Sequence, residues 1–202
     1  MKNLKTIILA ISILVVFIIV NAFTFNTKHK VDRYENNHMI NMFVTHGHCN
    51  TPFTGQVSNL SLGLTSRTDL GNPLEDMKIS FDIDPSTFIT CTQINISQKI
   101  KDFGLFYNKK NEKILFKTTN TYTVGLNWYQ INGIMTIKGI ENKVIFFATG
   151  IREPNDTWPT SLVLEGQLNL FDWGIDFDKI VFGARKVGSK QMHFNMTIPI
   201  EQ

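Results

Sequence analysis

The pentapeptide Thr45-His46-Gly47-His48-Cys49 puts two imidazoles two residues apart and a thiol directly after them. On one extended strand His46 and His48 would share a face and Cys49 the other, a spacing at which two imidazoles could share a zinc or copper ion. A third ligand is awkward to supply from that same strand, so no metal is expected. The carboxylates of Asp82, Asp84 and Asp172 alternate with apolar residues or flank Pro and Gly, which suits outward groups and turn-formers rather than an acid/base pair. Asp84-Pro85-Ser86 is a turn signal. There is no glycine-rich phosphate loop and no nucleophile elbow. The chemistry therefore points away from catalysis and from any cofactor, and the protein reads as a non-enzyme.

Two further cysteine-based readings depend on compartment. Lys2 and Lys5 precede an almost unbroken apolar run from Ile7 to Val20, and Val20-Asn21-Ala22 offers small or permissible groups ahead of a cut after Ala22. Residues 1–22 are read as an export signal. Cleavage would release a soluble protein into the periplasm or cell envelope; retention, extending the run through Phe25, would leave a membrane anchor. No cysteine follows at a position suited to bacterial lipid attachment. In an oxidising compartment Cys49 and Cys91 could close a loop of about 40 residues, worth roughly 3–4 kcal/mol. A bridge and two free thiols are equally compatible with the spacing.

The elements that would position such residues are strands. In Met77 to Ile83, in Leu162 to Leu170 and in Met192 to Ile200, apolar residues alternate with polar ones, giving each strand one buried face. Tyr129, Ile131, Gly133, Met135 and Ile137 do the same, up to a turn expected at Gly139 to Asn142. The following run, Val144 to Ala148, is apolar on both sides, so something other than water is expected over its second face. One amphipathic helix is expected between Thr92 and Tyr107, where Ile96, Ile100, Phe103 and Phe106 recur at helical spacing. Residues 23–38 read as a polar linker and 39–202 as one domain. About eight strands with one helix imply an all-β, antiparallel barrel. The 202 residues carry a net charge of +3 spread evenly along the chain, so no basic patch for nucleic acid is visible.

From about Ile40 onward, five stretches in order resemble the YceI-like family, exported lipocalin-like barrels associated with polyisoprenoid lipids. They are Ile40 to His46 with Phe53 to Val57, "MKISFDIDPSTFIT", "ILFKTT", "NGIMTIKGIENKV" and "LNLFDWGID". The resemblance implies a lipocalin-like fold and places His46 near the barrel mouth as a hydrogen-bonded histidine. Polar positions of the family are replaced here: its Arg-Asp-x-His-Leu helix start falls on Ile96, Ser97, Lys99 and Ile100, and an Arg and a Phe on Leu170 and Trp173.

The barrel that this resemblance implies would be lined by Met42, Val44, Phe81, Ile83, Phe116, Tyr129, Ile131, Met135, Ile137, Leu164, Leu168, Phe194 and Met196. Room for a ligand is expected near Gly133, Gly166 and Ala148, and the outer side of Val144 to Ala148 against the helix. At about 0.8 kcal/mol per buried methylene, ten methylenes only match an association cost of about 4–15 kcal/mol, so a lumen ligand must be a long chain. The expected partner is a long isoprenoid or similar lipid; the alternative is an envelope scaffold whose barrel is filled by its own side chains. Exposed Trp128 and Ile134 could pair two barrels.

Overall fold

The computed structural model describes residues 29–34, 38–46, 49–65, 72, 74–90, 97, 98, 100, 101, 104–109, 112–154, 156, 158–177 and 191–200. The alternations of the sequence become nine strands among these residues: β1 (His29–Tyr34), β2 (His38–His46), β3 (Cys49–Thr65), β4 (Lys78–Thr90), β5 (Ile114–Gly125), β6 (Trp128–Ile137), β7 (Ile140–Ile151), β8 (Ser161–Asn169) and β9 (Gln191–Pro199). Each strand from β2 to β9 pairs antiparallel with the next, and β9 returns to β2 through Asn41↔Asn195 to Val44↔Met192. The result is a closed, eight-stranded up-and-down barrel, the architecture that leaves no bare sheet edge.

β1 lies outside that closed circuit. It pairs with the far half of β3, His29↔Thr65 to Tyr34↔Leu60, where β2 has already left off at His38↔Val57. Part of the stretch read as a linker is thus a strand, because β3 is long enough to accept two partners on one edge. The stretch read as an export signal, residues 1–22, and residues 23–28 lie outside the described residues.

The period-2 pattern is reproduced closely. Along β6, Tyr129, Ile131, Gly133, Met135 and Ile137 are buried while their neighbours are half-buried or exposed. The turn after β6 is tighter than expected. Lys138 and Gly139, both at positive φ (55° and 73°), form a two-residue connection between Ile137 and its partner Ile140. Positive φ at both central positions matches the twist of the flanking strands, and glycine takes it without strain. β7 consequently begins at Ile140.

The expected helix is shorter than its pattern. Residues 97, 98, 100 and 101 are helical, and the chain then turns at Gly104, φ 55°. Gly104 N–H donates to the Lys101 carbonyl and Leu105 N–H to the Ile100 carbonyl, a helix end in which Ile100 and Leu105 are both buried. Phe106 and Tyr107 therefore lie beyond the helix. Their apolar spacing continued the helical period, but the left-handed residue at Gly104 ended it. A second short element, the 3-10 helix Leu170–Trp173, closes in the same way at Gly174.

Candidate functional site

The interior of the barrel is the candidate site. All the positions expected to line it are buried, from Val44, Ile83, Tyr129, Ile131, Met135 and Ile137 at 0% exposure to Phe194 at 5%. They belong to one continuous apolar cluster that includes Met42, Phe81, Phe116, Leu164, Leu168 and Met196.

At mid-depth the wall carries a belt of phenylalanines. Ring centroids run Phe81 to Phe116 at 5.0 Å, Phe116 to Phe146 at 4.9 Å and Phe146 to Phe194 at 5.9 Å, within the range at which aromatic quadrupoles attract. These rings come from β4, β5, β7 and β9. The strands between them contribute glycine: a Cβ on Gly133 of β6 would fall 2.4 Å from the Phe116 ring, and one on Gly166 of β8 would fall 1.8 Å from Phe146. The two rings lean sideways over their neighbours' backbone. Gly133 and Gly166 are accordingly not the gaps that their missing side chains suggested, because Phe116 and Phe146 occupy them.

The two ends of the barrel differ. At the end formed by the β2–β3, β4–β5, β6–β7 and β8–β9 connections, Phe53 and Phe88 of the wall meet Phe106 and Phe177 from the connecting segments. Their centroids are 5.3 to 6.5 Å apart. Sequence reading missed this cluster, because Phe88 sits in a bulge and Phe177 in a segment with no strand or helix period. At the opposite end Tyr129 lies against the β3–β4 connection: Asn72 Nδ2 donates to its hydroxyl at 3.0 Å, and the hydroxyl lies 3.2 Å from Asn72 Oδ1.

Two of the threonines buried in the wall are committed to the backbone. Thr118 Oγ1 accepts from Ile79 N–H at 3.0 Å and donates to its carbonyl at 2.9 Å, and Thr121 Oγ1 donates to the Met77 carbonyl. These hydroxyls continue the β4–β5 seam where the ladder itself stops, at Ser80↔Lys117.

The residues singled out for chemistry fall elsewhere. His46 ends β2 and Cys49 opens β3 as its direct partner. The pentapeptide is thus a hairpin rather than one strand, and the alternate-residue geometry assumed for a shared metal does not apply. His48 and Cys91 lie outside the described residues, and of His46 and Cys49 only the backbone is described, so the disulfide and the barrel-mouth role belong there too. Among the described residues no three His, Cys, Asp or Glu gather as metal ligands. The carboxylates are structural. Asp84 accepts from Ser86 N–H at 2.9 Å, Asp172 accepts from Asn169 Nδ2 at 2.9 Å, and Asp82 lies 3.6 Å from Lys113 Nζ. Leu170 and Trp173 are buried, with Trp173 Nε1 donating to the Ile140 carbonyl at 3.0 Å. Ser97 accepts from Thr90 N–H at 2.7 Å, tying the helical turn to β4.

The outer side of β7 departs from expectation. Ile145 and Phe147 are 52% and 39% exposed rather than covered by the helix. With Phe43, Trp128, Glu165, Gln167 and His193 they line a groove of about 530 Å³ on the outer wall. Phe43 stacks on His193 at 4.4 Å there.

A sequence profile of the YceI-like domain matches residues 23–199. Among curated protein sequences no relative matches significantly. The crystal structure of BcnA from Burkholderia cenocepacia is similar in fold, with a TM-score of 0.55 at 12% identity over 81% of this chain and 96% of that one. A polyisoprenoid binding domain from Saccharophagus degradans, implicated in plant cell wall breakdown, gives a TM-score of 0.52 at 9% identity over 85% and 97% of the two chains.

Proposed function

The chain belongs to the YceI-like domain family, and from that premise we propose that its barrel is an exported, non-catalytic carrier of a long apolar lipid of isoprenoid type. The observation that carries the reading is the inner wall: every inward position expected for the lumen is an apolar or aromatic residue and buried, and the neighbouring Thr118 and Thr121 give their hydroxyls to the Ile79 and Met77 carbonyls. A surface of this kind has no group with which to hold a polar metabolite, since orienting such a ligand takes convergent unpaired polar groups.

Eight strands enclose an interior that side chains can just fill or that one ligand can occupy; Phe116 and Phe146 take the space over Gly133 and Gly166, so a ligand would lie against these rings rather than in the glycine positions. Methionines 42, 135, 192 and 196 on the same surface let the wall follow an irregular chain. The polyisoprenoid binding of the Saccharophagus degradans domain supports the same class of ligand.

The test is lipid mass spectrometry on protein purified from its native cells, together with uptake of polyprenol from detergent. A co-purifying long isoprenoid is expected. Folded protein that yields an empty extract and takes up no polyprenol would establish the filled-barrel scaffold instead.

A further inference from the structure

The hairpin between β5 and β6 exposes apolar side chains that the lumen does not use. Tyr122, Val124, Leu126 and Trp128 are 50%, 46%, 89% and 49% exposed. Tyr122, Thr123 and Val124 are exposed in succession, so this end of the ribbon presents side chains to solvent on both faces. No charged residue occurs from Thr118 to Ile137. The β7–β8 connection joins the same surface. Gly150 N–H donates to the Asn127 carbonyl and Arg152 to Asn127 Oδ1, both at 2.8 Å. Pro159 packs on Gly150, which brings in its neighbour Trp158, 42% exposed.

A hairpin tip with no charged residue of its own, leucine at its turn and Trp and Tyr around it matches a bilayer surface, where aliphatic groups reach the acyl region and amphipathic rings sit at headgroup level. A stable protein interface, at roughly 800 Å² per side, would have to extend beyond these five side chains. His29, where the described chain begins, pairs with Thr65 at this end of the barrel. Arg152, Glu153 and Asp156 stand in the adjoining loop, a small net negative charge that gives no preference for anionic lipid.

We infer that the tip from Tyr122 to Trp128, with Trp158, docks this end of the barrel on a lipid bilayer. The docking is independent of what fills the lumen, although it would set a lipid carrier against its source.

Full-length protein is mixed with vesicles of brominated phosphatidylcholine and its tryptophan emission followed, using Trp128→Phe and Trp158→Phe to assign the signal. Quenching of Trp128 and Trp158 is expected, with Trp173, 2% exposed, as the unquenched internal reference. Leu126→Asp, at an exposed site that folding does not need, should weaken the quenching isotherm by about tenfold or more, the equivalent of one leucine side chain. Vesicle binding without quenching of either exterior tryptophan, or quenching unchanged in Leu126→Asp, would overturn the inference by assigning attachment to the N-terminal segment. Polyprenol uptake without quenching removes the docking alone. Quenching with an empty lumen supports docking and removes the lipid-carrier reading.

Discussion

Phe146 and Gly166 face each other directly across β7 and β8, and the phenylalanine ring takes the place where a side chain on Gly166 would stand, 1.8 Å from where its Cβ would fall. Two positions on different strands thus share one volume. Gly166→Ala should destabilise the barrel by about 1–3 kcal/mol through overpacking. Urea denaturation of the single variant and of Gly166→Ala combined with Phe146→Leu would measure the coupling, and the double variant should recover part of the loss.

The β4–β5 seam offers a second test. Thr118→Val keeps the shape of the side chain but removes both bonds to Ile79, leaving a buried N–H and carbonyl without that partner. A loss of about 1–3 kcal/mol is expected. Thr123→Val, on the exposed part of the same strand, should stay within about 0.5 kcal/mol by the same denaturation measurement.

Tyr129→Phe removes the hydroxyl that is held by Asn72. Stability should fall by about 1 kcal/mol. Amide exchange should show faster opening at Leu74, whose N–H is held by the Asn72 side chain.

Inner and outer faces of the barrel wall should differ in lipid uptake. Met135→Asp introduces a charge at a fully buried site on β6 and should abolish polyprenol uptake along with several kcal/mol of stability. Circular dichroism separates lost binding from lost fold. Phe147→Ser, on the outer wall, should leave uptake intact.

Attachment is tested by intact mass on protein from its native envelope. Cleavage after Ala22 predicts a soluble chain beginning at Phe23. A complete chain confined to the membrane fraction would mean that the apolar run is retained. In that case only residues 26–28 separate it from β1, at most about 10 Å of extended chain. A barrel held so closely would rest on the bilayer rather than swing on the longer tether that a linker through residue 38 would have provided.

The strands were legible in the sequence because a strand's side chains alternate strictly, so Met77 to Ile83, Tyr129 to Ile137 and Met192 to Ile198 declare their buried faces without reference to anything else in the chain. That these faces line one lumen came from the family resemblance, not from the period. What periodicity cannot state is which residues on separate strands share space. Gly133 and Gly166 looked like room for a ligand until the register brought Phe116 and Phe146 over them. Likewise Thr45 to Cys49 read as one strand, and only the pairing of His46 with Cys49 makes it a hairpin. The apolar outer side of Val144 to Ala148 called for a cover, yet Ile145 and Phe147 are 52% and 39% exposed. Local pattern determined which side of each strand is buried. Strand order, register and the ends of the helices are non-local, arising from contacts between segments far apart in the chain, and those decided how the barrel closes and which apolar residues remain outside it.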